Sequence, residues 1–222
     1  NTYGVGMARR GVETVYRLFN HLEPVVCERV FAPELKGKPV VVLSNNDGCI
    51  IARSNEAKSM GIEMGTPIFK CWDIVKRKNV KVFSSNYVLY GDMSNRVMRV
   101  LSEFSPSMEV YSIDEAFLFF EGFKRNLDDY ALSMRRRVNQ CTGLPVSIGL
   151  ASTKTLAKVA NHIAKRTKQE GVFLLSQKEK DAYLKEIPVR DLWGVGRRWG
   201  RWLENFGIYT AFELMNAPDR WI

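Results

Sequence analysis

Ser112-Ile113-Asp114-Glu115-Ala116-Phe117 sets two adjacent carboxylates inside an otherwise apolar stretch, Val110 to Phe120. Met108–Ile113 and Ala116–Phe120 read as strands flanking the acidic pair, either as one hairpin or as a single bulged strand pair. Successive strand residues face opposite sides, so both carboxylates reach one site only at a bulge or a strand end. Carboxylates within an apolar strand are costly unless they are paired or bind a cation. Oxygen-only ligands suit Mg²⁺, which takes one or two carboxylates together with substrate phosphates. Taken alone, the pair reads equally as a harmless acidic turn at the surface.

Upstream, Pro39-Val40-Val41-Val42-Leu43 is a β-branched run that ends in the turn Ser44-Asn45-Asn46-Asp47-Gly48. Ile50–Ile51 resumes a strand. Ser54–Met60 reads as a helix opened by Ser54 and closed by Gly61. Asp73–Lys78 is expected to be a short helix, Val80–Ser84 a strand, and Asp92–Phe104 a helix with Met93, Val97, Met98, Val100 and Leu101 inward. Near the start, Val12–Leu22 reads as a helix stopped by Pro24. Downstream, Leu127–Gln140 is a helix carrying the basic run Arg135–Arg137, which reads as a solvated face. Val146–Leu150 and Val172–Leu175 are strands, and Gln177–Lys185 is a helix. Strands mix with helices up to about residue 176, and an all-helical unit follows.

Two further signals are cationic. Thr153–Lys168 carries Lys154, Lys158, Lys165, Arg166 and Lys168 and no acid, with Leu156, Val159, Ala160 and Ile163 as its apolar stripe. Its charged face suits phosphates, or is simply solvated. Leu192-Trp193-Gly194-Val195-Gly196-Arg197-Arg198 leads into the helix Trp199–Phe206, and Gly207-Ile208-Tyr209-Thr210 into Ala211–Met215. Helix, Gly-x-Gly turn, helix is the pattern of a helix-hairpin-helix, which holds a DNA backbone without reading its sequence. The bland alternative is a tight turn of any helical bundle. A dinucleotide fingerprint is excluded, because no strand precedes these glycines and the third glycine is missing.

The 222 residues suit one large unit or two compact ones, and 45% hydrophobic with 26% charged residues exclude a disordered or collagen-like chain. The 33 basic residues exceed the 24 acidic ones, for a net charge of +9. That surplus favours a polyanionic partner, although basic proteins without one are common. No apolar run approaches the ~20 residues of a membrane helix. No signal peptide opens the sequence, which does not begin with Met. The four cysteines form no CxxC pair, so zinc is not expected and reduced thiols in a cytoplasmic protein are.

Together these segments resemble the Y-family translesion DNA polymerases, in particular their UmuC-like branch. The resemblance runs from Cys27-Glu28-Arg29-Val30-Phe31 to the last residue. It includes Leu35–Cys49, Ala52-Arg53-Ser54-Asn55-Glu56-Ala57-Lys58, Met60–Ile62, Tyr90-Gly91-Asp92-Met93-Ser94, Ser112–Phe117, Ser147–Leu150, Thr153–Lys158 and Leu192–Gly196. It implies an α+β right-hand polymerase core with a ferredoxin-like palm, small fingers and a helical thumb containing the helix-hairpin-helix. Residues 28–88 match the fingers, 89–170 the palm and 171–222 the thumb, after an atypical segment 1–27 at the position of the first palm strand.

The resemblance assigns Asp114 and Glu115 the catalytic role of holding two Mg²⁺ ions, for which Mn²⁺ can substitute. Asn55, Lys58 and Lys165 match nucleotide-binding positions, and Lys154, Gly194, Gly196 and Arg197 match contacts to the DNA backbone. Primer–template DNA, damaged DNA included, and a dNTP are the implied substrates, in DNA repair and the SOS response. A sliding clamp and a UmuD-like accessory subunit are further partners that the resemblance allows. Two departures stand out. The family's first palm strand carries a third metal-binding aspartate and then an aromatic steric gate. Counting back from Cys27 without a gap puts these on Phe19 and Pro24, and Glu13 and Glu23 are out of register. The little finger is also expected to be missing, as in a piece of a longer polymerase. The expected extension activity is therefore weak. A non-catalytic DNA-binding protein with a polymerase-like palm and thumb is the alternative, and a palm-type nucleotidyl cyclase is remote.

Overall fold

Three consecutive valines, Val40, Val41 and Val42, are all completely buried, which requires a strand covered on both faces. The computed structural model describes residues 12–18, 33–123, 126–166 and 171–218. Among them the chain forms eight strands and eight α-helices. The strands fall into a five-stranded sheet, ordered β5-β6-β1-β7-β8, and a three-stranded sheet, ordered β3-β2-β4.

The five-stranded sheet comprises β1 (Val12–Leu18), β5 (Met108–Ser112), β6 (Glu115–Phe120), β7 (Val146–Ala151) and β8 (Val172–Leu174). The helix expected over Val12–Leu22 is thus corrected to a strand. Val12, Thr14, Val15 and Tyr16 favour the extended backbone, and β1 lies between β6 and β7, so pairing on both sides overrides the helical spacing. Phe19, Glu23, Pro24 and Cys27 lie outside the described residues.

By contact density the chain divides into two units, one of residues 16–117 and 132–147, the other of 1–15, 118–131 and 148–222. In the first unit β2 (Val40–Leu43) pairs antiparallel with β3 (Ile50–Arg53) and parallel with β4 (Lys81–Phe83). Val41, Leu43 and Ile50 pack on one face with Ala57, Ile62, Val75 and Val80. Val40, Val42 and Ala52 pack on the other with Leu35. The helices α1 (Asn55–Ser59) and α2 (Trp72–Arg77) follow. α3 runs over Tyr87–Ser102, longer at its start than expected, because the Asn86 side chain caps it by accepting from Leu89 N–H at 3.0 Å. Val88 in that extra turn is 85% exposed, so no apolar spacing marks it.

α4 (Leu127–Thr142) belongs to both units. Arg135 on it is no solvated charge: its Nε donates to the Val146 carbonyl at 2.9 Å. Arg137 faces Glu103 at 3.6 Å.

In the second unit β7 and β8 pair in parallel, with Ile148 opposite Val172. α5 (Lys154–Arg166) crosses between them and buries Ala157, Val159, Ala160, Ile163 and Ala164. Gly149 is required where the helix meets the strand. A Cβ there would lie 2.1 Å from the Asn161 backbone nitrogen and 2.3 Å from the Ala157 carbonyl oxygen. α6 (Lys180–Glu186) is followed by a 3-10 turn, Val189–Asp191, then α7 (Arg197–Asn205) and α8 (Ala211–Met215). That turn replaces the helix expected before the Gly-x-Gly segment. Pro188 bridges to Thr210, and Val189 N–H donates to the Tyr209 carbonyl at 2.8 Å, which leaves only one turn before Leu192 extends. Val189, Leu203 and Ile208 form the core of this helical end.

Gly149→Ala is expected to destabilise the chain by about 1–3 kcal/mol, the usual cost of forcing extra volume into a packed contact. Urea denaturation measures it, and an unchanged midpoint contradicts the close approach.

Candidate nucleotidyl-transfer and DNA-binding site

The acidic pair sits at the turn of a hairpin. β5 and β6 are neighbours in the sheet, and Ile113-Asp114 is the two-residue turn between them. Of the two sequence alternatives, the hairpin is the one formed. Asp114 is half-buried on the turn, and its Oδ1 accepts from the Ser112 hydroxyl at 2.5 Å. Glu115 opens β6 and is 6% exposed, followed by Ala116, Phe117 and Leu118 at 0%. The Phe117 ring meets Tyr111 of β5 edge-on, with centroids 5.7 Å apart. The turn thus resolves the alternation problem: one carboxylate leaves the strand while its neighbour stays in it.

Among the described residues, no group of three or more His, Cys, Asp and Glu side chains forms a complete metal site. Asp114 and Glu115 nonetheless fit a hard divalent cation. Two neighbouring carboxylates, one of them buried at the head of an apolar strand, supply oxygen ligands, and such cations take the remaining ligands from water and phosphate.

Asn55 and Lys58 lie one turn apart on α1, hence on one face. That helix is positioned by Ser54, which is fully buried. The Ser54 hydroxyl accepts from Ala57 N–H at 3.2 Å as the N-cap and from Val40 N–H at 3.1 Å, tying α1 to β2. Asn55 is exposed and Lys58 half-buried. Partial burial, and then the nearby Arg53 guanidinium, hold the Lys58 ammonium below the usual lysine range. Arg53 is anchored by donating from a terminal nitrogen to the Ile62 carbonyl at 2.6 Å. Its Nε is buried with no hydrogen-bond partner among the described residues. Two partly desolvated cations side by side form a place that favours an anion. Arg53 stands inside the motif Ala52–Lys58, but no sequence signal marks it out, because its significance lies in its nearness to Lys58.

Lys154 and Lys165 begin and nearly end α5. Eleven residues put them about 16 Å apart on the same helix face. Lys154 lies over the Phe119 ring at 5.5 Å. Lys158 lies over the Trp193 ring at 5.0 Å, linking α5 to the Gly-x-Gly segment.

In that segment the two glycines differ. Gly194 has φ +88, a left-handed conformation that costs other residues about 1–2 kcal/mol. Gly196 is the N-cap of α7 with φ −80 and ψ 179, an ordinary extended backbone. A Cβ on it would meet nothing within 4 Å, so the fold itself does not require glycine there. No side chain caps α7. Its first N–H groups therefore have no side-chain acceptor, and Arg197, Arg198 and Arg201 beside them are exposed, a setting that suits an anion.

A hairpin-borne carboxylate pair, a cationic helix and this turn, in this order on an α+β fold, define a Y-family polymerase core. The description of the impB/mucB/samB family matches residues 23–162, and that of the IMS family HHH motif matches residues 178–208. The protein UmuC of Salmonella typhimurium is 51% identical over 201 residues, covering 88% of this chain and 47% of UmuC. DNA polymerase IV of Dehalococcoides mccartyi is 32% identical over 199 residues, covering 87% of this chain and 50% of that protein. Among solved structures, an insertion ternary complex of Dbh DNA polymerase superposes with a TM-score of 0.78 at 28% identity, covering 94% of this chain and 61% of that one. This chain therefore belongs to the impB/mucB/samB family of Y-family polymerases, and it spans about half the length of the curated relatives it matches.

Gly194→Ala is expected to lower stability by about 1 kcal/mol, whereas Gly196→Ala leaves it unchanged within error. Equal losses in chemical denaturation contradict the distinction between the two glycines.

Proposed function

We propose that this chain is the core of a lesion-tolerant DNA polymerase that catalyses template-directed nucleotidyl transfer onto a primer, on damaged DNA included. The observation that carries the reading is the Asp114–Glu115 pair at its hairpin turn, with Glu115 buried at the head of β6. Family membership and the ternary complex named for the solved relative support it. We assign residues 28–88 to the fingers, 89–170 to the palm and 171–222 to the thumb. The reading is of a cytoplasmic protein acting in DNA repair and the SOS response, with a sliding clamp and a UmuD-like subunit as partners of the whole polymerase. No helix among the described residues is long and apolar enough to cross a membrane.

Each group then has a task. Asp114 and Glu115 would hold the divalent cations, Mg²⁺ or Mn²⁺. When bound, these supply charge neutralisation of the triphosphate and stabilise in-line attack at the α-phosphate. Lys58, backed by Arg53, receives the triphosphate of the incoming nucleotide. Asn55, exposed one turn before Lys58, faces that nucleotide, and Lys165 neutralises further phosphate charge. Lys154, Arg197 and the bare backbone at Gly194–Gly196 hold the DNA backbone without reading sequence.

A gap-free count back from Cys27 sets Phe19 where the family carries its third aspartate. Losing one carboxylate of a two-metal site is expected to slow the chemistry by orders of magnitude. The same observation favours a second reading, a chain that keeps the DNA grip and has lost the chemistry.

Single-nucleotide primer extension with Mg²⁺ and with Mn²⁺ tests the proposal. Slow extension abolished by Asp114→Ala is the expected result. No extension with primer–template binding intact selects the second reading. Extension at ordinary polymerase rates contradicts the cost assigned to Phe19.

Lys58→Met is expected to weaken nucleotide binding about tenfold, the loss of one charge-assisted contact. It should not destabilise the fold. A lysine pKa below its unfolded value means that the folded state binds fewer protons, so stability rises as pH approaches 10.5 from below. The variant should lose that alkaline rise, read from urea denaturation as a function of pH.

A further inference from the structure

α7 carries a surface that the nucleotidyl-transfer reading does not use. Gly200 and Leu203 face the core of the helical end. Trp199, Trp202 and Phe206, spaced by three and four residues, form a stripe on another side, 60%, 39% and 54% exposed. The rings touch in sequence. Trp199 meets Trp202 edge-on at 5.7 Å and 85°, and Trp202 meets Phe206 at 4.8 Å and 57°. Tyr209, just beyond, is 58% exposed.

At 100° per residue, Arg198 and Arg201 lie on the stripe adjoining these rings, and Arg197 lies beyond them. All three arginines are exposed, and none has a hydrogen-bond or ion-pair partner among the described residues. Glu204 is the helix's sole acid. Aromatic residues and arginine also populate protein interfaces, but three cations against one acid on this helix favour a polyanion. Aromatic rings with a cationic strip alongside are the two parts of a surface on which unpaired bases stack while their phosphates are held. A duplex cannot offer those base faces, because they are already stacked within it.

We propose that the outer face of α7 binds single-stranded DNA, with bases stacked on Trp199 and Trp202 and phosphates on Arg198 and Arg201. This contact adjoins the backbone grip at Gly194–Gly196 and differs from it in the stacked bases, and it rests on the DNA-binding reading above. Trp199 is the chosen probe, since its exposed ring makes folding insensitive to its loss.

The test is binding of labelled oligothymidylate, which has no structure of its own, and of a duplex of the same length. Fluorescence anisotropy at low salt compares the full chain with Trp199→Ala and Trp199→Phe, with circular dichroism as the check on folding. Trp199→Ala is expected to weaken oligothymidylate binding about tenfold, the usual order for loss of one stacking ring. Duplex binding should change less than about twofold, and Trp199→Phe should restore most of the single-strand affinity. Equal loss on both ligands, or no loss on either, overturns the inference while leaving the DNA-binding reading intact. Binding to neither ligand by the unaltered chain overturns both. Sedimentation velocity supplies one further contrary outcome: self-association abolished by Trp199→Ala assigns this face to a second copy of the chain.

Discussion

Burial of the Glu115 carboxylate at the head of an apolar strand is the constraint on which the account depends. Ala116, Phe117 and Leu118 behind it are fully buried, so the strand cannot be moved outward to hydrate the acid. A buried charge costs several kcal/mol unless something compensates it. The two-residue turn puts Asp114 beside it with a hydroxyl from Ser112 on one oxygen. The hairpin thereby sets two adjacent carboxylates at the head of an otherwise apolar strand.

The cationic side shows the same economy of position. Ser54 is completely buried and ties the first turn of α1 to the backbone of β2. Because β2 is covered on both faces, α1 has little freedom, and Lys58 is held near Arg53, whose guanidinium adds to burial in lowering the lysine's tendency to carry a proton. In the helical end, Gly194 is needed for its backbone angle, whereas Gly196 is needed by no contact among the described residues. A residue whose smallness serves no internal contact is free to serve one with a ligand.

Much of this was legible in the sequence, for identifiable reasons. The valine run at 40–42, the Ser54 cap and the hairpin around the acidic pair are local signals that survive in the structure, although the turn falls on Ile113-Asp114 and not on the expected Asp114-Glu115. The first strand was not legible: Val12–Leu18 carries both helical and extended spacing, and its place between β6 and β7 depends on residues far along the chain. The start of α3 was hidden because Tyr87 and Val88 are exposed and leave no apolar periodicity. Arg135 read as a solvated charge because its acceptor, the Val146 carbonyl, lies in another element. At the site, adjacent carboxylates and the Gly-x-Gly turn are visible in one dimension. The Arg53–Lys58 pair is a fact of three dimensions, as is the contact of Lys158 with Trp193.

Titration of the chain with Mn²⁺ in the presence of a dNTP, followed by electron paramagnetic resonance, tests the central claim most directly. If the hairpin acids exist to hold a divalent cation, the full chain takes up Mn²⁺ beyond what the nucleotide alone binds. Glu115→Gln, which keeps the shape of the side chain and removes its charge, then loses that excess while remaining folded. Undiminished Mn²⁺ uptake by Glu115→Gln contradicts the claim and returns the pair to the status of an acidic turn.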